Sequence, residues 1–172
     1  MLLRLSLPGA PLALVLGLVS WLSVSGASSQ KLFVIERSKN ANVVRYDVRV
    51  EKGGRYDVRR PLDVYWLMNA ENGRREELTD LERRIAYGYE MLPGAKMTEF
   101  GVRLVAVKGR SITVRRRGDE YAPEAAINGE PAEIETIYVA TKESKLPKVL
   151  YVELRGKSVK DGRAVRERIM SD

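Results

Sequence analysis

A chain of 172 residues with 30 Lys and Arg against 23 Asp and Glu carries a net charge of +7, and it contains neither cysteine nor histidine. These absences exclude Ser-His-Asp and Cys-His nucleophiles, histidine proton shuttling, disulfides and the ordinary N/S-ligated zinc site. Carboxylate chemistry, a Ser-Lys or Tyr-based mechanism and oxygen-ligated hard cations survive, so the composition leans away from an enzyme and calls for no cofactor.

The first 27 residues read as a leader. Met1 to Arg4 carries one side-chain charge, Leu12 to Val19 is an apolar block, and Ser25-Gly26-Ala27 supplies small residues. This is the layout of a secretory signal peptide, with cleavage expected after Ala27 and a secreted or periplasmic destination. An uncleaved membrane anchor is the alternative, since the uncharged run from Leu5 to Gln30 exceeds the ~20 residues a span needs. Pro8, Gly9, Pro11 and Gly17 weaken a continuous helix there. Residues 28–172 are predicted to form a single β-rich domain.

Lys31 to Glu36 predicts a buried strand. Val43 to Val50 alternates, with Val44, Tyr46, Val48 and Val50 on one face and Arg45, Asp47 and Arg49 on the other. The pentapeptide Arg-Tyr-Asp-Val-Arg occurs at 45–49 and again at 55–59, with Gly53-Gly54 between, which predicts a hairpin. Leu62 to Met68 is a further strand after Pro61. Thr79-Asp80-Leu81-Glu82 fits a capping box and opens an amphipathic helix whose stripe is Leu78, Leu81, Ile85, Tyr89 and Leu92, ended by Pro93-Gly94. Strands follow at Phe100 to Val107 and Ser111 to Arg116. The Gly- and Pro-punctuated stretch from Gly118 to Pro131 predicts irregular chain. Ile134 to Ala140 and Lys148 to Arg155 are further strands. Arg163 to Met170 fits two patterns, since Val165, Glu167 and Ile169 alternate while Val165 and Ile169 also suit a helix; the Asp161-Gly162 turn before it favours a closing strand. The expected fold is mainly β, an antiparallel barrel or sandwich of about eight strands with one amphipathic helix.

The densest polar cluster is the connection after the first strand. Arg37 and Lys39 there can clamp a phosphate, sulfate or carboxylate, with Ser38, Asn40 and Asn42 donating beside them. The same residues also suit a plain turn, because Asn and Ser bond their own backbone. Tyr46 and Trp66 can line an interior space for one apolar ligand, or fill it as core. The arginine runs at 59–60, 74–75, 83–84 and 115–117 would suggest nucleic acid in a cytosolic protein. Outside the cytoplasm the anions met are lipid headgroups, acidic glycans and cell-wall polymers, and interleaved Asp and Glu also fit a merely solvated surface. Glu133 and Glu135 can share a strand face, a weak basis for acid-base work on a glycan. Ser29 with Lys31, and Ser158 with Lys160, lack the helical setting of serine-lysine sites.

The run from Leu32 to Val44, then Tyr46-Asp47, Pro61 and Val64-Tyr65-Trp66, resembles the opening of an uncharacterised bacterial family, domain of unknown function four-eight-three-three. Leu78-Thr79, Ala86-Tyr87-Gly88, Ile127-Asn128-Gly129 and Tyr151-Val152-Glu153-Leu154 before Gly156 are similar to that family too. The resemblance implies an exported bacterial domain and brings no assigned activity or catalytic residues. The reading is an exported, non-enzymatic binding module for a small amphipathic or anionic ligand, without nucleic acid as partner. The alternatives are a cell-envelope interaction protein using a basic face on a membrane surface or an acidic envelope component, and a carboxylate-dependent glycan hydrolase.

Overall fold

The computed structural model describes residues 28–107, 109–142 and 148–171. The expected leader, its cleavage site and the anchor alternative lie outside these. Eleven strands form among the described residues: β1 Ser28–Arg37, β2 Val43–Val50, β3 Leu62–Met68, β4 Arg74–Glu77, β5 Tyr89–Met91, β6 Glu99–Leu104, β7 Ser111–Arg117, β8 Glu120–Ile127, β9 Glu130–Lys142, β10 Lys148–Ser158 and β11 Ala164–Met170. All belong to one sheet that curls as a half-barrel.

β9 is the trunk of that sheet. One edge pairs antiparallel with β10, which carries β11 beyond it. The other edge is shared. Its first residues pair antiparallel with β8, from Ile127↔Glu130 to Glu124↔Glu133, and its later residues pair parallel with β1, from Val34↔Thr136 to Arg37↔Val139. Two arms therefore leave the same edge, β1-β2-β3-β4 and β8-β7-β6-β5. The expectation of a purely antiparallel, roughly eight-stranded system is corrected on both counts.

Where β1 and β8 diverge, a side chain replaces the missing strand. The Gln30 amide donates to the Tyr121 carbonyl at 3.0 Å and accepts the Tyr121 N–H at 2.8 Å, reproducing both bonds of a backbone partner. Pro123, two residues on and of the same parity, sits just before the β8–β9 ladder begins at Glu124. A residue without an N–H is tolerated at such a gap. This is why the stretch from Gly118 to Pro131, read as irregular, is instead two strands and their turns.

The core is one cluster drawn from both arms. It includes Phe33, Ile35, Val44, Tyr46 and Val48 from the first, Phe100, Val102 and Leu104 from the second, Ile134 and Ile137 from the trunk, and Leu154 from β10. Each such side chain contributes about 1.5–3 kcal/mol by leaving water. The second Arg-Tyr-Asp-Val-Arg is not a strand. Its Asp57 carboxylate accepts the amides of Arg59 and Arg60 at 2.8 and 3.1 Å, which curls the chain away from the ladder. Tyr56 turns inward onto Phe100, ring centroids 4.5 Å apart, while Val58 remains 73% exposed.

The helix is also shorter than expected. Only Asp80–Glu82 (α1) is α-helical; Arg83–Tyr87 is a π turn, and β5 follows at once. Among the described residues no helix is long and apolar enough to cross a membrane.

At the β9–β10 junction, Gly156 lies where a Cβ would stand 2.0 Å from the Glu133 carbonyl oxygen, at a shift in the ladder register. Gly156→Ala is expected to lower stability by more than about 2 kcal/mol, because backbone must move to admit the methyl. Gln30→Ala should cost about 1–3 kcal/mol, since it orphans both Tyr121 backbone groups at the fork. Urea denaturation of both variants measures these losses; wild-type stability in either one removes the corresponding role.

Candidate functional site

The polar turn after β1 is built mostly to hold itself. Ser38 donates its N–H to the Val139 carbonyl at 3.0 Å, and its hydroxyl accepts the Thr141 N–H at 2.9 Å, continuing the parallel ladder by one residue. Asn40 Oδ1 accepts the Asn42 N–H at 2.9 Å, and Asn42 Oδ1 accepts the Ala70 N–H at 3.2 Å. Asn69 returns a bond to the Ala41 carbonyl at 2.9 Å, docking the turn on the 3-10 turn at 69–71. Lys39 stands exposed with φ 59°.

The other three expected site residues converge. Arg37, at the end of β1, donates to the Tyr87 hydroxyl at 3.2 Å. Tyr46 is fully buried, stacks on Phe33 at 4.6 Å and donates to the Tyr87 carbonyl at 2.6 Å; burial pushes its phenol well up. Trp66 sets its ring edge-on to Tyr87 at 5.2 Å and donates its indole N–H to Glu82 Oε1 at 3.0 Å. The hub is therefore Tyr87, which no spacing or composition signal singled out; it entered only within the Ala86-Tyr87-Gly88 resemblance.

Local physics explains how Tyr87 gets there. The capping box forms as the sequence predicts: Thr79 Oγ1 accepts the Glu82 N–H at 3.2 Å, and Glu82 Oε2 accepts the Thr79 N–H at 2.8 Å. The widened turn after it closes on Gly88, where a Cβ would fall 2.0 Å from the Arg83 carbonyl oxygen. A residue with any side chain would force that turn open. Widening also rotates the faces. Leu81 and Ile85, expected in the buried stripe, are 55% and 63% exposed, whereas Leu78 and Tyr87 are buried.

Asp80, Arg83, Arg84 and Tyr87 then share the side that borders a cleft of about 630 Å³ between this turn, β5 and the end of β6. Val64, Tyr87 and Leu104 give it apolar walls, and Arg83, Arg84 and Arg103 its cations, with Asp80 and Glu90 as acids. Two of the cations are engaged: Arg83 with Glu77 at 3.1 Å and Arg103 with Glu90 at 3.2 Å. Asp80 and Arg84 make no side-chain ion pair or hydrogen bond with any other described residue. The arrangement can hold an apolar body and offer one free charge of each sign. It offers no metal cluster; no group of three or more Asp and Glu converges among the described residues.

The remaining candidates disperse. Glu133 borders a smaller cavity of about 340 Å³ at the β1–β8 fork and lies 4.0 Å from Arg117, while Glu135 pairs with Lys157 at 2.6 Å. Ser29 donates to buried Asp47 at 3.2 Å, and Ser158 accepts the Lys160 amide at 3.3 Å, so neither serine faces a lysine amine as its partner. The arginine runs are largely neutralised across strands: Arg75 by Asp63 and Glu77, Arg115 by Glu99 and Glu124, Arg117 by Glu124.

Burial alone would raise the Glu82 carboxyl, but the Thr79 amide and hydroxyl, the Trp66 indole and the nearby Arg37 guanidinium together hold it below the usual carboxylate range. A depressed folded pKa contributes stability above the unfolded value, and that contribution is lost as pH falls through the folded one. Glu82→Gln is therefore expected to be less stable than wild type near pH 7, with the gap closing below the ordinary glutamate value of about 4.3. Urea unfolding followed by Trp66 fluorescence, near neutrality and in acid, tests this. A gap of constant size would assign the effect to packing instead.

No curated protein and no solved structure matches this chain. One family does, across both arms of the sheet and the whole turn that carries Tyr87. By its match over residues 33–168, the chain belongs to the family Domain of unknown function (DUF4833).

Proposed function

We propose that this protein is an exported, non-enzymatic binding module for a small amphipathic ligand with an anionic group, held in the cleft beside Tyr87. The observation that carries this reading is the cleft itself: about 630 Å³ open to solvent, apolar on its walls and bordered by three arginines. Its volume falls within the range of ligand sites, roughly 300–1,000 Å³, and its mixture of apolar wall and few polar groups is their usual chemistry. The anionic group would meet Arg84, whose guanidinium is not already committed to a carboxylate. Arg37 and Trp66 act from behind, by positioning Tyr87 and Glu82.

A basic-surface role on the cell envelope draws less support. The arginine runs at 74–75 and 115–117 face carboxylates, which leaves little net field over them, and only the run at 59–60 makes no side-chain ion pair at either residue among the described residues.

Dodecyl phosphate below its micelle concentration is a direct probe. It is expected to bind the chain from Ser28 onward with saturable heat in calorimetry. Arg84→Glu, at an exposed position, should weaken binding by roughly fivefold to tenfold, about 1–1.4 kcal/mol, without changing the unfolding midpoint. Absence of saturable binding, or equal affinity in the variant, would remove the reading.

A further inference from the structure

From the pair of uncommitted charges in this cleft, we infer that the ligand is zwitterionic: a phosphate ester bearing an ammonium group, its phosphate on Arg84 and its ammonium on Asp80, with an apolar chain along Val64, Tyr87 and Leu104. This rests on the binding reading above and narrows it.

Asp80 and Arg84 are four residues apart, the spacing at which an acid N-terminal to a base pairs on a regular helix. Here α1 gives way to the π turn at Arg83, and no ion pair joins them. Their neighbours behave differently. Arg83 and Arg103, the other cations bordering the cleft, each hold a carboxylate, and Glu90 is the carboxylate that Arg103 holds. So the two charges that remain available among the described residues of the cleft are opposite in sign. A purely anionic ligand would leave Asp80 as a repulsive neighbour of its headgroup. A ligand with both charges answers both residues, and like-for-unlike placement of this kind gives specificity more than raw affinity. The apolar wall beside them suits a hydrocarbon chain rather than a second polar group.

The same chemistry occurs in a lipid headgroup and in the free headgroup ester. Calorimetry with dodecylphosphocholine, dodecyl phosphate and free phosphocholine, all below micelle concentrations, separates the cases. Wild type is expected to prefer dodecylphosphocholine over dodecyl phosphate by about threefold to fivefold, the range of one exposed ion pair. Asp80→Asn should abolish that preference by weakening the zwitterion and sparing or improving the anion, whereas Arg84→Gln should weaken both. Trp66 fluorescence checks that each variant is folded. Equal or reversed preference in wild type, or an unchanged preference in Asp80→Asn, overturns the zwitterion inference and leaves the amphiphile reading standing. Binding of neither dodecyl compound overturns both. Where the preference holds, free phosphocholine decides the source: comparable affinity assigns the free ester, and much weaker binding assigns the lipid.

Discussion

The structure depends on a shared edge. β9 pairs with β10 along one side and divides the other between an antiparallel partner, β8, and a parallel one, β1. A backbone edge can satisfy only one strand at any point, so the two arms must part, and the parting creates a line of unpaired backbone groups. The Gln30 amide closes that line with the two bonds a strand would have made. Because the arms part, their inner faces can meet: Tyr46 reaches the Tyr87 carbonyl, Tyr89 reaches the Leu62 carbonyl at 3.4 Å, and Tyr56 packs on Phe100. The cleft lies along that meeting, with Val64 from one arm and Leu104 from the other.

Charge plays a quieter part than composition suggests. Asp47, only 1% exposed, is held by Ser29, Arg45 and Tyr65 on the outer face of the first arm. Glu153 is held in the same way by Arg155 and Arg168 on the outer face of β10. Arg75 lies 4.0 Å over the Tyr65 ring and Arg168 4.1 Å over Tyr151, adding cation-π contact to the same faces. These lattices cover the outer faces of β2, β3 and β10 with paired charge, which discourages association there. Asp80 and Arg84 differ from those faces in lying at the cleft with no ion pair to another described residue.

Strand periodicity was legible wherever one face of a strand is buried. Val44, Tyr46 and Val48 alternate in sequence and lie in the core; at Ala164–Met170 the periodicity fitted strand and helix alike, and the Asp161-Gly162 turn before it pointed to the strand that forms. Three other features could not be read that way. β8 carries a proline and small alanines, so propensity argued against a strand that the fork makes harmless. The second Arg-Tyr-Asp-Val-Arg has strand-like residues, but Asp57 bonds its own chain first. The helical stripe failed because the close approach of Arg83 to Gly88, which the spacing of the apolar residues does not encode, changes the turn from 3.6 residues to a wider one. At the site, Arg37 and Trp66 were visible as residues, and the Thr79–Glu82 box as a motif. Their common partner Tyr87 was not, because its role arises from three elements distant in sequence meeting on one ring.

The parallel pairing of β1 with β9 has a bearing on how the chain acquires its form. Val34 and Thr136 are about 100 residues apart in sequence, yet they lie side by side. Closing so long a loop must precede the contacts that reward it, which makes such pairings slow. The first arm can form its own ladders early, but its inner face stays wet until the trunk arrives. The sheet is whole only once two segments that far apart in the chain have found each other.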